Sequence, residues 1–256
     1  MSYLIVELFE RHDRSRFEVF GYCTSPEDGS LIRARVINSF DHYVCIKNMT
    51  DEEAARRIRA DEIDILIDLN GLTLGVRPQI LRAKPAPVQA TYLGFVGPVP
   101  LPELDYMFCD RVVVPPDQAS AYTPKPLYIA KNYQANDTKR TLAPATTRST
   151  VGLPDNKFVF CCFSNHYKIT EEMFTAWMEI LRRCDNAIIW LVGSNQRANS
   201  NILERAAVLG VDPDCIVFAA RVGPDEYMAR FSLADVFLDT FPYNAGTIAS
   251  DVWVCR

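Results

Sequence analysis

The sequence LADVFLDTFPYNAGTIASD, which spans residues 233–251, decides the fold of this chain. Residues 236–239 (VFLD), three of them apolar, predict a short buried strand, and the turn-rich residues 240–245 predict a crossing that leads to a helix. The helix is expected to begin near Gly246 or Thr247. A parallel strand that leads into a helix start directs unpaired backbone N–H groups and the positive end of the helix dipole at one point. The stretch therefore predicts an α/β unit with an anion site at this helix start.

Two side chains of the same stretch suggest what the anion belongs to. Thr247 can add a hydroxyl to the helix start, and Asp251 lies one turn further along the same helix face. A carboxylate repels phosphate but accepts hydrogen bonds from the two hydroxyls of a ribose. A phosphate at the helix start with a diol beside it indicates a nucleotide. The alternative is an ordinary strand–turn–helix without a ligand, and this segment alone leaves both open.

Outward from this stretch, predicted strands alternate with predicted helices along the whole chain. Strands are expected at residues 17–23, 42–46, 63–69, 88–93, 105–109, 158–163, 187–192 and 215–219. Helices are expected at residues 1–10, 30–40, 50–60, 78–83, 170–184, 199–209 and 224–232. Such alternation predicts parallel sheets joined by right-handed crossovers, and hence two Rossmann-like lobes.

The expected domain division follows from where this periodicity fails. Residues 1–114 form the first lobe, residues 151–256 form the second, and the proline- and hydroxyl-rich residues 115–150 are taken as the crossing between them. The first helix has no strand before it, and the chain stops inside the helix that carries Asp251. We therefore expect the two-lobed fold to be truncated at both ends.

Composition excludes several classes of function. The 256 residues carry 27 basic and 32 acidic side chains, a net charge of −5, which argues against a nucleic-acid partner. Apolar runs fall far short of the roughly 18–20 residues that span a membrane, and no signal peptide opens the chain, so a cytoplasmic protein is expected. Eight scattered cysteines without CxxC spacing and only three histidines predict reduced thiols and no metal site.

Polar and small residues cluster where the predicted strands end, which is where ligands bind in such sheets. From the first half these are Asn70, Gly71, Thr73, Leu93 and Gly94; from the second they are Asn165, His166, Lys168, residues 221–223, residues 244–247 and Asp251. The single lysine among them, Lys168, is placed to neutralise a diphosphate, on which charge develops as a leaving group departs. The dinucleotide GxGxxG and Walker motifs do not occur.

Several longer motifs resemble one known family. They are DILIDLNG at 64–71, RAKPAPVQATYLG at 82–94, FCCFSNHYKI at 160–169, LADVFLDT at 233–240 and YNAGTIASD at 243–251. Together they look like the catalytic region of the O-linked N-acetylglucosamine transferases, including the bacterial SPINDLY-type members. The resemblance implies a two-lobed GT-B fold, UDP-N-acetylglucosamine (UDP-GlcNAc) as donor substrate, no cofactor and no metal. It also implies inverting transfer to Ser or Thr hydroxyls of an acceptor protein or peptide. Tetratricopeptide repeats are expected upstream in the full-length protein and are absent from these 256 residues.

The resemblance also implies roles for individual residues. Lys168 matches the family lysine on the UDP phosphates, and Lys168 is the one catalytic residue expected here. The donor-binding set comprises Leu93, Gly94, Asn165, Lys168, Arg230, Asn244, Gly246, Thr247 and Asp251. Leu93 and Gly94 match the family's loop against the sugar, and Asn165 and Arg230 match residues that contact the nucleotide. Thr247 matches a hydroxyl residue that binds phosphate, and Asp251 matches the aspartate that binds the ribose.

The sequence departs from the family pattern at several positions. Gly246 stands where histidine is frequent, Ile248 where threonine is usual, and Tyr227 and Arg59 where some members have histidine. A histidine of the acceptor loop would fall before Met1, and no general base can be named. Two alternatives therefore stay open: a non-catalytic remnant that at most binds nucleotide, and a GT-B enzyme for another sugar nucleotide.

Overall fold

Parallel strands and the helices that connect them build the whole computed structural model, which describes residues 1–140, 142–144 and 146–254. The chain divides into two compact units, Met1–Lys139 and Arg140–Arg256. Thr141 and Ala145 of the predicted crossing, and Cys255 among the cysteines, lie outside the described residues. The α/β class with parallel sheets, predicted from the alternation of strands and helices, is confirmed.

The first unit contains two sheets of parallel strands. Its helices are α1 (Ser2–Glu10), α2 (Leu31–Asn38), α3 (Asp51–Ala60) and α4 (Pro78–Arg82), and its strands are β1 (Phe20–Cys23), β2 (His42–Cys45), β3 (Ile65–Asp68), β4 (Val88–Thr91), β5 (Tyr106–Cys109) and β6 (Lys125–Tyr128). One sheet pairs β1 with β2, and the other has the order β3-β4-β5-β6. Ile58 of α3 and Ile80 of α4 pack in one core cluster with Tyr22, Val44 and Leu66, so these helices cover both sheets.

Strand β6 lies inside residues 115–150, which the sequence analysis takes as the crossing between lobes. In the structure β6 pairs with β5, with Pro126 opposite Met107. Proline hides the strand in the sequence because it lacks an N–H and breaks strand patterns, yet the last strand in a sheet order tolerates it. The chain up to Lys139 belongs to the first unit, so regular structure of the first lobe continues beyond residue 114.

Helix α3 shows how local sequence signals set an element's start. Thr50 and Glu53 form the capping box that the sequence predicts: the Glu53 N–H donates to the Thr50 hydroxyl at 3.2 Å, and the Thr50 N–H donates to the Glu53 carboxylate at 2.8 Å. These bonds satisfy backbone donors that the helix itself leaves unpaired.

The second unit is one sheet with helices on both faces. Its strands are β7 (Phe158–Cys162), β8 (Ala187–Val192), β9 (Ile216–Ala219) and β10 (Val236–Phe237), and its helices are α5 (Glu171–Arg183), α6 (Gln196–Val208), α7 (Pro224–Arg230) and α8 (Thr247–Val254). The sheet order β10-β7-β8-β9 places the last strand beside the first. Trp177 of α5 packs against one face and Phe231, after α7, against the other. The strand and helix predicted within residues 233–251 are present as β10 and α8.

Among the residues that the structure describes, no helix is both long enough and apolar enough to cross a membrane.

Candidate functional site

The carboxyl ends of β7 and β10 lie side by side, because Val236 pairs with Phe160 in parallel register. After β7 the chain makes a 3₁₀ turn, His166–Lys168, and after β10 a loop leads to the start of α8. The Lys168 ammonium donates to the Asn244 carbonyl at 3.1 Å. The structure thus brings Lys168 to the loop before α8, where Asn244 lies three residues ahead of Thr247, the first residue of the helix. The predicted anion site requires this proximity.

The loop after β10 is held by its own polar groups. One Asp239 carboxylate oxygen accepts from the Ala245 N–H at 2.7 Å, and the other accepts from the Asn244 side-chain amide at 3.2 Å. The same amide donates to the Thr240 carbonyl at 2.7 Å. Sequence analysis missed this function of Asp239, because a strand-end aspartate gives no signal of which backbone N–H groups will surround it.

The start of α8 is open to solvent. Gly246 and Thr247 are exposed, and the first hydrogen bond of this helix runs from the Ser250 N–H to the Gly246 carbonyl at 3.3 Å. In an α-helix the N–H groups before that donor have no partner inside the helix. A side chain at Gly246 would meet nothing within 4 Å, so space for a ligand is present there.

Asp251 is buried on α8, with its side chain 5% exposed. Its carboxylate accepts from the Arg140 guanidinium at 2.6 Å. Burial raises the pKa of Asp251, while Arg140 acts in the opposite direction by favouring the charged carboxylate. The ion pair with Arg140 was not foreseen from the sequence, and the ribose contact assigned to Asp251 stays a prediction.

The two other predicted nucleotide contacts make protein contacts of their own. The exposed Asn165 accepts a weak hydrogen bond from Arg221 at 3.4 Å. Arg230 is buried, and its guanidinium donates to the Ala220 carbonyl at 2.6 Å and to Glu226 at 2.9 Å. Arg230 therefore supports the segment between β9 and α7, and its nucleotide contact stays a prediction.

His166 stands close to Lys168 but is tied to the backbone. Its Nε2 lies 2.7 Å from the Val192 carbonyl, which can only accept, so Nε2 carries the proton. That arrangement leaves Nε2 unable to act as a base while the bond persists.

Leu93 and Gly94 lie in the first unit, directly after β4. The Gly94 N–H donates to the Tyr92 carbonyl at 2.8 Å, which closes a three-residue turn and holds Leu93 at φ +69°. A Cβ at Gly94 would overlap the Leu69 carbonyl oxygen. Such strained backbone is frequent at functional sites. The Leu93 side chain itself is buried in a core cluster with Leu4 of α1.

A small cavity of about 10 Å³, enough for one water-sized group, adjoins this turn. Its lining includes Thr91, Tyr92, Phe95 and Tyr133.

The part of the chain that the structure describes contains no group of three or more His, Cys, Asp or Glu side chains arranged to hold a metal ion.

Comparisons with known proteins show which family the chain belongs to. The model of glycosyl transferase family 41 matches residues 1–146 and 139–255. The chain is 36% identical over 98% of its length to a probable UDP-N-acetylglucosamine--peptide N-acetylglucosaminyltransferase SEC of Arabidopsis thaliana. It is 26% identical over 96% of its length to a SPINDLY protein of Oryza sativa with the same enzyme description.

A solved structure supports the fold. A mutant O-GlcNAc transferase of Thermobaculum terrenum matches 98% of this chain with a TM-score of 0.86 and 26% identity. This likeness confirms the expected GT-B fold class.

The chain spans 26% and 27% of the two curated relatives and 47% of the solved structure. It covers a region of these longer proteins. Because the family model matches nearly all of its residues, the chain belongs to glycosyl transferase family 41.

Proposed function

We propose that this chain is the donor-binding and catalytic region of a protein O-GlcNAc transferase. The reaction is transfer of N-acetylglucosamine from UDP-GlcNAc to a Ser or Thr hydroxyl, with inversion at the anomeric carbon and without a metal ion. The relatives' names supply the reaction class. The proposal depends on one observation: the ammonium of Lys168, which follows β7, contacts the loop before α8 and lies 3.1 Å from the Asn244 carbonyl.

In this proposal Lys168 and the start of α8 bind the diphosphate of the donor. Negative charge grows on UDP as the bond to the sugar breaks, and a fixed ammonium with unpaired N–H groups stabilises that charge. Thr247 adds a hydroxyl donor at the helix start, and Asp251 accepts from the ribose. The acceptor hydroxyl attacks the anomeric carbon directly, which inverts its configuration.

Titration of UDP into the 256-residue chain tests the binding half of the proposal. Lys168→Met removes a charge-assisted contact to phosphate worth about 1.5–3 kcal/mol, so we expect UDP affinity to fall roughly tenfold to hundredfold. Lys157→Met is the matched control, because Lys157 lies just before β7, at the end of the strand opposite to the end that Lys168 follows. Equal UDP affinity of wild type and Lys168→Met would remove Lys168 from the site.

Transfer to an acceptor peptide, or hydrolysis of UDP-GlcNAc, tests the catalytic half. Binding of UDP without turnover would leave a nucleotide-binding remnant. Competition between UDP-GlcNAc and other sugar nucleotides tests the donor, since Ile248 packs into the core cluster of the second unit where the family usually has threonine.

A further inference from the structure

The Lys168 ammonium is held in place by an aromatic ring as well as by a carbonyl. Its Nζ lies 3.8 Å from the centroid of the Tyr243 ring and 3.1 Å from the Asn244 oxygen. A lysine side chain is otherwise flexible and loses rotamer entropy when it is fixed. These two contacts fix it before any anion is bound.

The loop presents the Tyr243 ring in a defined position. The buried Thr240 hydroxyl donates to the Tyr243 carbonyl at 2.7 Å, and the Asn244 amide closes the turn onto the Thr240 carbonyl. Asp239 holds the following Ala245 N–H. The backbone on both sides of Tyr243 is thus fixed by hydrogen bonds, although Tyr243 is an exposed residue.

The charge of Lys168 is left available. Among the described residues no carboxylate lies within ion-pair distance of its Nζ, whereas Lys84 and Lys139 are paired with Asp105 and Glu10. A carboxylate partner would compete with phosphate for the ammonium. A ring face attracts the cation without neutralising it, so the ammonium keeps its charge and an N–H for an incoming anion.

We propose that Tyr243 is a positioning residue that holds Lys168 ready for the donor diphosphate. The consequence for nucleotide affinity rests on the function proposed above; the ring contact itself does not. Sequence analysis gave no indication of this role, because Tyr243 and Lys168 lie on separate elements.

NMR of the chain labelled with ¹³Cε-lysine tests the contact without nucleotide. The Lys168 Nζ lies 3.8 Å from the ring centroid. The protons on the adjacent Cε should therefore sense the ring current, and we expect an upfield-shifted Lys168 Hε signal, assigned by its loss in Lys168→Arg. The shift should persist in Tyr243→Phe, which keeps the ring, and disappear in Tyr243→Leu. Tyr167→Leu is the control, because this exposed neighbouring ring is 6.2 Å from the Tyr243 ring. An unchanged Lys168 signal in Tyr243→Leu would overturn the proposal.

UDP titration of the same variants tests the consequence. We expect Tyr243→Leu to weaken UDP binding about threefold to tenfold, and Tyr243→Phe to restore wild-type affinity. Equal affinity of Tyr243→Leu and wild type would show that the contact does not prepare Lys168 for a phosphate, and would overturn the positioning role. A wild-type chain that shows the upfield shift but binds no UDP would refute the proposed function and leave the ring contact standing.

Discussion

At the scale of single residues, two glycines of the predicted donor site differ in whether the surrounding structure leaves room for a side chain. Gly94 permits close packing of backbone on backbone, since any side chain there would overlap the Leu69 carbonyl. Gly246 has free space around it and a φ outside the left-handed region. The resemblance to the family assigned both glycines to the donor site, but only the structure gives a steric reason for one of them.

Alanine substitutions separate these two cases. We expect Gly94→Ala to destabilise the first unit by about 2 kcal/mol or more, because backbone must move to admit the methyl group. Gly246→Ala should change stability of the second unit by less than about 1 kcal/mol. Thermal unfolding of both variants measures this. Similar melting temperatures for Gly94→Ala and wild type would contradict the packing argument.

At the scale of elements, α1 is attached to the end of the first unit through two carboxylates, the buried Glu7 and the partly exposed Glu10. Glu7 accepts from the Thr138 N–H at 2.6 Å, from its hydroxyl at 2.8 Å and from Arg11 at 2.6 Å. These hydrogen bonds lower the pKa of Glu7 from 4.5 to about 2, against the opposing effect of burial. Hydrogen bonds from Arg35 and Lys139 lower the pKa of Glu10 to about 2 as well.

This attachment predicts acid sensitivity. A carboxylate whose folded pKa is depressed contributes stability that is present above its unfolded pKa of about 4.5 and is lost as the pH falls towards 2. We therefore expect the free energy of unfolding of the first unit to decrease between about pH 5 and pH 2, with a smaller slope in Glu7→Gln. The exposed Glu52→Gln serves as the control. Chemical denaturation at several pH values measures the slopes, and identical slopes for Glu7→Gln and wild type would exclude the contribution of Glu7.

At the scale of the whole molecule, the unfolding of the second unit can be observed separately from that of the whole chain. All three tryptophans, Trp177, Trp190 and Trp253, belong to the second unit. Tryptophan fluorescence therefore reports unfolding of the unit that carries Lys168 and α8, whereas circular dichroism reports both units.

We expect UDP to stabilise the second unit and therefore to shift the transition that tryptophan fluorescence reports. At a concentration 100 times its Kd, a ligand stabilises the unit that binds it by about 2.7 kcal/mol. We expect UDP to raise the melting temperature seen by fluorescence by several degrees, and Lys168→Met to reduce that rise. A fluorescence transition that UDP leaves unmoved would count against a nucleotide site in the second unit.

Local signals predicted most elements well. The apolar run of β8, Ala187–Val192, is bounded by polar residues and was predicted with the observed limits. Helix α6 begins at Gln196 instead of residue 199, because the Asn195 side chain accepts from the Ala198 N–H and starts the helix earlier. Strand β6 was missed because Pro126 interrupts its pattern, and only pairing with β5 makes it a strand.

The sequence by itself determined the order of strands and helices, the parallel α/β class and a helix start near Gly246 or Thr247, because these depend on side-chain periodicity and turn chemistry within a few residues. Only the tertiary structure decided which side chains meet. Lys168 reaches the Asn244 carbonyl across 76 residues, Arg140 reaches Asp251 across 111, and Glu7 reaches Thr138 across 131. Such contacts depend on which strands become neighbours in a sheet and how helices pack on them, and no local pattern encodes that choice.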